Sequence, residues 1–184
     1  NEALRCGVKV FRGSEDDVLS RYYYAAKDNN FDVVIRITSD CPLIDPVIVD
    51  EIIDFYKTHD FDIVTNAGID LTNRTFPRGL DVEVFSFNLL EKAYNNATEK
   101  YQKEHVTPYI YETSNNVFYY KNKTDYSKYR WTLDTEEDFE LIEEIYNSLY
   151  HGVHDFYLID IIKLFEKKPE LYEINAHIEQ KKIK

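Results

Sequence analysis

Apolar and polar positions along this 184-residue chain switch between a period of two and a period near 3.6, and the switches mark out alternating strands and helices. The β-branched run Val33, Val34, Ile35 and Ile37 predicts a strand over residues 32–38, buried on both faces as in a parallel sheet. It stops at the carboxylate of Asp40. Pro46 and the periodic Val49, Ile52, Ile53 and Tyr56 predict a helix over 46–58, with Asp45 as its N-cap. A strand over 61–65 follows, and strands separated by helix-length segments are the βαβ pattern. Upstream, residues 1–6 read as the tail of a helix and 8–11 as a short strand. Ser14 with Asp17 forms a capping-box pattern for a helix running to about Lys27.

Beyond residue 65 the pattern is less regular. Residues 66–80 are polar and punctuated by Gly68, Pro77 and Gly79, a long loop of the kind that carries function. Residues 81–85 alternate as a strand with one polar face, and Leu89, Leu90, Ala93 and Tyr94 give the next helix its core spacing. A helix over 104–111 is interrupted or begun at Pro108, and further strands fall at 117–120 and 129–133. Thr135 with Asp138 is a second capping box, opening a helix to Leu149. Leu158, Ile161, Ile162 and Phe165 form the buried face of a last helix over 155–167. The expectation is one domain over 1–184: an α/β, Rossmann-like, mainly parallel sheet flanked by helices. A small antiparallel excursion near 81–120 offers a dimerisation surface.

A formal charge of -12 argues against nucleic acid or an anionic membrane as the main partner, since both attract basic surfaces. A small anionic substrate is still compatible if a metal ion and local arginines counter it. No apolar run reaches the length of a membrane span, and a cytoplasmic protein is expected. Cys6 and Cys41 are too few for a disulfide scaffold, and Cys41 reads as a small buried spacer. The chain has no Met, which suggests that an N-terminal portion precedes Asn1; processing or renumbering is the alternative.

Two carboxylates stand at strand ends. Asp40 follows the first long strand, and Asp134 follows 130–133 just ahead of a capped helix. Open α/β sheets bind ligands at such ends, and two carboxylates converging there could share a Mg²⁺ with the phosphates of a nucleotide. The alternative is that both only serve turns and helix starts.

The segments Arg12-Gly-Ser-Glu-Asp-Asp-Val-Leu-Ser-Arg-Tyr22, Arg36-Ile-Thr-Ser-Asp-Cys-Pro-Leu-Ile-Asp-Pro46, Phe76-Pro-Arg-Gly-Leu-Asp-Val-Glu-Val-Phe85, Glu104-His-Val-Thr-Pro108 and Arg130-Trp-Thr-Leu-Asp-Thr-Glu-Glu-Asp138, with the closing Asn175-Ala-His-Ile-Glu-Gln-Lys181, resemble one family. It is that of the cytidylyltransferases of the spore-coat polysaccharide biosynthesis protein F type, relatives of the acylneuraminate and 3-deoxy-manno-octulosonate cytidylyltransferases. The resemblance implies transfer of CMP from CTP to a sugar, with Mg²⁺, and release of pyrophosphate. It implies Asp40 and Asp134 as catalytic metal ligands, and it places Arg12, Ser14 and Arg21 where relatives approach the nucleotide, Ser14 having helix capping as its alternative. Arg78 could hold the acid group or phosphate of an acceptor. Asp81 and Glu83 suit sugar hydroxyls, or else form a solvated strand face. Glu104 and His105 could orient the acceptor or act as a base, or hold a neighbouring loop. The family begins with a strand and a Gly/Ser/Arg/Lys-rich phosphate loop that nothing in this chain matches, so both are expected before Asn1. Two other readings are a glycosyltransferase using a nucleotide-sugar and a non-catalytic sugar-binding or dimerisation module.

Overall fold

The computed structural model describes residues 2–68 and 71–180, so Asn1 and Lys181 of the segments above lie outside the described residues. Four strands form one sheet in the order β1 (Val33–Arg36), β3 (Glu83–Ser86), β2 (Ile63–Thr65), β4 (Val117–Tyr119). β3 runs antiparallel to both β1 and β2, and β4 is parallel to β2. Three of the four strands therefore share one direction. The antiparallel strand is no peripheral excursion: it is wedged between β1 and β2.

Because side chains alternate across a strand, each strand feeds two cores. Val64 and Val84 turn to one face, where α3 (Pro46–Thr58), α7 (Glu136–Leu149) and α8 (Leu158–Lys167) bring Ile52, Ile145 and Ile161 against Trp131. Ile63, Phe85 and Val34 turn to the other. There α2 (Val18–Asp28), α4 (Phe87–Asn96), α5 (Lys100–His105) and α6 (Pro108–Thr113) pack Leu19, Leu90, Val106 and Ile110. Covering both faces is what allows these strands to read as unbroken apolar runs.

The helix starts follow local chemistry. Asp45 caps α3, its Oδ1 accepting from Val47 N at 2.9 Å, while its Oδ2 accepts from Leu158 N at 3.3 Å and so joins the starts of α3 and α8. Thr135 and Asp138 make the expected capping box for α7. The α2 cap differs from expectation. Asp17 is the N-cap, accepting from Ser20 N at 2.9 Å, and Ser14 sits outside the helix, its hydroxyl accepting from Asp17 N at 3.0 Å. A serine three residues ahead of an aspartate can support a turn into the cap as readily as be the cap.

Two expected strands are absent. Residues 8–11 are exposed and have no ladder partner among the described residues, although the helix tail before them is present as α1 (Glu2–Arg5). Residues 129–133 make only an isolated parallel bridge between Arg78 and Arg130. Gly79, at φ +92°, permits that bridge: a Cβ there would lie 2.5 Å from the carbonyl of Trp131 and 2.7 Å from Thr132 N. Only glycine combines that φ with such close backbone approach.

Gly79→Ala is accordingly expected to destabilise the fold by about 2 kcal/mol or more, read as a lowered urea midpoint at unchanged slope. An unchanged midpoint would show that the two segments separate freely.

Candidate active site

The turn after β1 and the segment ahead of α7 are tied by their main chains. The carbonyl of Asp40 accepts from Leu133 N at 2.9 Å and from the Thr132 hydroxyl at 3.2 Å. This brings Asp40 alongside Asp134, the residue after Leu133. The Asp40 carboxylate accepts from side chains: Oδ1 from the Thr38 hydroxyl and, at 3.7 Å, from the Cys41 thiol, and Oδ2 from the Thr132 hydroxyl at 3.2 Å. Cys41 beside it is buried, and its thiol is pushed up to about 11, chiefly by burial, with the neighbouring carboxylates adding to the effect. It is a neutral spacer at physiological pH and no nucleophile.

Asp134 is set by Arg130, which sequence reasoning left out. The Arg130 guanidinium is buried and spans two carboxylates, giving Nη2 to Asp134 Oδ2 at 2.8 Å and Nε and Nη2 to Asp138 at 2.9 and 2.8 Å. Asp138 is fully buried and also accepts from Asn175 Nδ2 at 2.8 Å and from Asp134 N at 3.0 Å. Burial alone would raise the Asp138 carboxyl, but the bonds from Arg130, Asn175 and the main chain prevail and hold it below the usual range. Arg130 lies ahead of α7, and its pairing with Asp138 depends on the turn into that helix, which no local spacing rule announces.

The loop over 74–81 completes the edge. Arg74 is buried and grips Asp81 with two bonds, at 2.7 and 3.0 Å. Arg78 lies between Arg74 and Arg130 and has no ion pair among the described residues. Burial, then the charge of Arg74, makes its proton less firmly held than usual, with Asp81 opposing and Arg130 adding to that effect. A guanidinium stays charged at neutral pH, so Arg78 is a cation at the sheet edge with no ion pair among the described residues.

Asp81 and Glu83 differ in partners, not in face: Val82 and Val84 between and after them both enter the same core. The ladder begins only at Glu83, because the Asn66 side chain takes the place of a strand at the preceding residues, bonding Leu80 O at 2.7 Å and Val82 N at 2.8 Å. Glu83 is no solvated strand position. It is buried and accepts from Arg36 at 2.7 Å, Thr107 at 3.0 Å and the Tyr111 phenol at 2.6 Å. Burial first, and Glu83 second, push the Tyr111 phenol well above its ordinary value. Thr107 is aimed by a γ-turn in which Thr107 N bonds His105 O at 2.8 Å around Val106 at φ +72°, a rare conformation for a β-branched residue. Glu104 is exposed and His105 partly buried, and no hydrogen bond joins either side chain to Asp40, Asp134 or Arg78 among the described residues. Arg12 and Ser14 are exposed, whereas Arg21 lines a cavity beside β1.

No group of three or more His, Cys, Asp or Glu side chains that could hold a metal ion occurs among the described residues. Nor is any described helix long and apolar enough to cross a membrane. Mg²⁺, however, is typically held by one or two carboxylates plus substrate phosphates, and Asp40 and Asp134 fit that sparse, all-oxygen donor set.

A family model described as "Cytidylyltransferase" matches residues 1–183. The chain is similar to the uncharacterized protein MJ1063 of Methanocaldococcus jannaschii, 42% identical over 180 residues, covering 95% of this chain and 70% of that protein. It is also similar to the spore coat polysaccharide biosynthesis protein SpsF of Bacillus subtilis, 31% identical over 169 residues, covering 91% of this chain and 68% of that protein. A solved structure of a cytidylyltransferase from Leptospira borgpetersenii superimposes with a TM-score of 0.86 at 38% identity, covering 97% of this chain and 74% of that one.

Arg130→Met should cost about 3–5 kcal/mol, because it strands the buried Asp138 charge. The pH dependence follows from the sign. A carboxyl depressed in the folded state gives stability that is complete above its unfolded value of about 3.9 and lost as pH falls through the folded value. The gap between wild type and Arg130→Met in urea melts should therefore narrow below about pH 4. A gap constant with pH would show that Asp138 is not the partner that matters.

Proposed function

The chain belongs to the cytidylyltransferase family and is an enzyme of that kind, and from that premise we propose that it forms a CMP-activated sugar from CTP and an acidic or phosphorylated sugar, releasing pyrophosphate. The observation that supports this reading is the main-chain bond from Leu133 N to Asp40 O, which sets the turn bearing Asp40 against the segment leading to Asp134, with Arg78 bridged to Arg130 alongside. The name of the Bacillus subtilis relative, a spore coat polysaccharide biosynthesis protein, supports a sugar acceptor destined for a surface polysaccharide or glycan.

In this reading Asp40 and Asp134 would hold Mg²⁺, which would supply neutralisation of the triphosphate and of the leaving pyrophosphate. Thr38 and Thr132 keep the Asp40 carboxylate in place, and Arg130 does the same for Asp134. Arg78 offers a planar fork to the carboxylate or phosphate of the acceptor, and orienting that group brings its attacking oxygen to the nucleotide. Arg12, ahead of α2, and Arg21, within it, would approach the nucleotide. The enzyme works in the cytoplasm, as a homodimer.

The test is pyrophosphate release by the complete native gene product across acidic and phosphorylated sugars, with CTP, UTP and nucleotide-sugar donors. Release with CTP and a divalent cation is expected, and Asp40→Asn should lower turnover by about 100-fold or more while leaving circular dichroism unchanged. Wild-type turnover in Asp40→Asn, or reaction of a nucleotide-sugar alone, would overturn the reading, the latter in favour of a glycosyltransferase. Arg78→Ala should raise KM for the acceptor about 10-fold or more with little change in KM for CTP. Equal effects on both would move Arg78 away from the acceptor.

A further inference from the structure

The side-chain donors around the Asp40 carboxylate can rotate, so its direction is set by the backbone of the turn that carries it. That turn is fastened at several points. Leu133 N holds the Asp40 carbonyl at 2.9 Å, and Ile44 N closes the turn on Cys41 O at 3.2 Å. A further fastening comes from α7, where the Tyr146 hydroxyl donates to the carbonyl of Pro42 at 3.2 Å. Cys41 is the one residue between Pro42 and Asp40. It is buried and hydrogen-bonded to Thr38 at 3.2 Å, so the link has little room to absorb a shift of Pro42.

Tyr146 has a second partner, since its oxygen lies 3.1 Å from His154 Nδ1. Burial first, and Tyr150 second, push the phenol above its ordinary value, so it keeps its proton. A phenol has one hydrogen to give, and a carbonyl can only accept, so the hydrogen belongs to the Pro42 bond and His154 Nδ1 donates to Tyr146. The other ring nitrogen agrees. Nε2 is buried with no partner among the described residues, and a hydrogen placed there would be a stranded donor. The network thus assigns His154 the neutral tautomer with its hydrogen on Nδ1. The ring is fixed by stacking on Phe156, with centroids 4.4 Å apart and planes at 8°. Packing alone does not account for Tyr146, because its ring meets Phe156 edge-on at 5.3 Å, a contact that phenylalanine would make equally well. The hydroxyl serves the Asp40 turn.

We propose that Tyr146 and His154 are positioning residues for the transfer reaction: His154 aims the Tyr146 hydroxyl at Pro42 O, and that bond holds the turn where Asp40 can reach the cation and the nucleotide. The inference rests on the reading above, in which Asp40 is a metal ligand. The segment that carries His154 is itself anchored to the end of the same turn. Leu158 N bonds Asp45 Oδ2 at 3.3 Å, and the Tyr157 hydroxyl bonds the His154 carbonyl at 3.3 Å. The turn is therefore gripped at Asp40 O, Pro42 O and Asp45, from the segment ahead of α7, from α7 and from the start of α8. Arg78 belongs to a different support, its main chain bonded to Tyr129 and Trp131. Loosening Pro42 should consequently weaken use of the cation and CTP and spare the acceptor.

Amide hydrogen exchange in the complete native gene product reads the turn without turnover. In Tyr146→Phe the Leu133 amide, which bonds Asp40 O, should exchange about 10-fold faster or more, while amides in the middle of α7 keep their wild-type protection. The same variant should raise the Mg²⁺ concentration for half-maximal pyrophosphate release about 10-fold or more, with KM for the acceptor within about 2-fold of wild type. His154→Phe keeps the ring stack but lacks the donor, and it should match Tyr146→Phe in both readouts. His154→Asn puts a side-chain N–H near the place of Nδ1 and should recover most of the loss, which a purely packing role would not allow. Wild-type Leu133 exchange and an unchanged Mg²⁺ requirement in Tyr146→Phe would overturn the proposal, as would equal losses for cation and acceptor. His154→Phe indistinguishable from wild type, or His154→Asn no better than His154→Phe, would overturn the role of His154. Faster Leu133 exchange in a protein that releases no pyrophosphate from CTP would refute the enzymatic reading and leave the fastening of the turn intact. Unaltered exchange in an active enzyme would do the opposite.

Discussion

The buried pair of Arg130 and Asp138 is the constraint on which the sheet edge depends. Taking both charges out of water costs several kcal/mol each unless nearly every polar atom is met, so the pair dictates what must surround it. Asp138 receives two bonds from Arg130, one from Asn175 and main-chain bonds from Asp134 and Thr135. Arg130 in turn fastens Asp134 and, through Nη1, Gln180 at 2.5 Å. The start of α7, the segment over 129–133 and the chain after Asn175 thus meet at one point. Asp134 is aimed by an arrangement that the fold needs in any case.

The second organising element is β3. Lying antiparallel between β1 and β2, it sends Val84 into one core and Phe85 into the other, and its first residue, Glu83, ties α6 to β1 through Thr107, Tyr111 and Arg36. Five of the seven arginines belong to the sheet edge or the neighbouring groove: Arg21, Arg36, Arg74, Arg78 and Arg130. A chain with a net charge of -12 has therefore gathered its guanidinium groups on one side. Three of them are neutralised internally by Glu83, Asp81 and the Asp134/Asp138 pair. The remainder create local positive potential on an acidic protein, which is how an anionic substrate can be drawn to a surface that repels it elsewhere.

Much of this was legible in the sequence because it is local. The Asp45 cap, the Thr135 capping box, the two-sided apolar strands and the strand-end position of Asp40 depend on neighbours within four residues. What was not legible depends on distant partners. Asp81 and Glu83 looked equivalent on a period-two strand, but Asp81 is met by Arg74 and Glu83 by Arg36, Thr107 and Tyr111. Glu83 looked solvated because its three donors come from β1 and α6. Residues 129–133 have the composition of a strand but meet only one short bridge at Gly79. Ser14 was misplaced for a subtler reason: a serine and an aspartate three apart satisfy the same pattern whether the first or the second caps the helix.

The contrast between Asp40 and Asp45, five residues apart, separates a structural carboxylate from one available for chemistry. Asp45 is 6% exposed, and its oxygens accept from Val47 N, Ile48 N and Leu158 N. Those donors are fixed in the backbone, and freeing the carboxylate would orphan two helix starts. The side-chain oxygens of Asp40 face threonine hydroxyls. A hydroxyl rotates, and it can accept as well as donate, so Thr38 and Thr132 can hold an Asp40 oxygen in place and release it at little cost. Thr132 also bonds the Asp40 carbonyl, which keeps the turn in place while the carboxylate changes partners. A rigid backbone with adaptable side-chain donors is what a group that binds and releases a charged ligand in each turnover requires, and within this stretch only Asp40 has it.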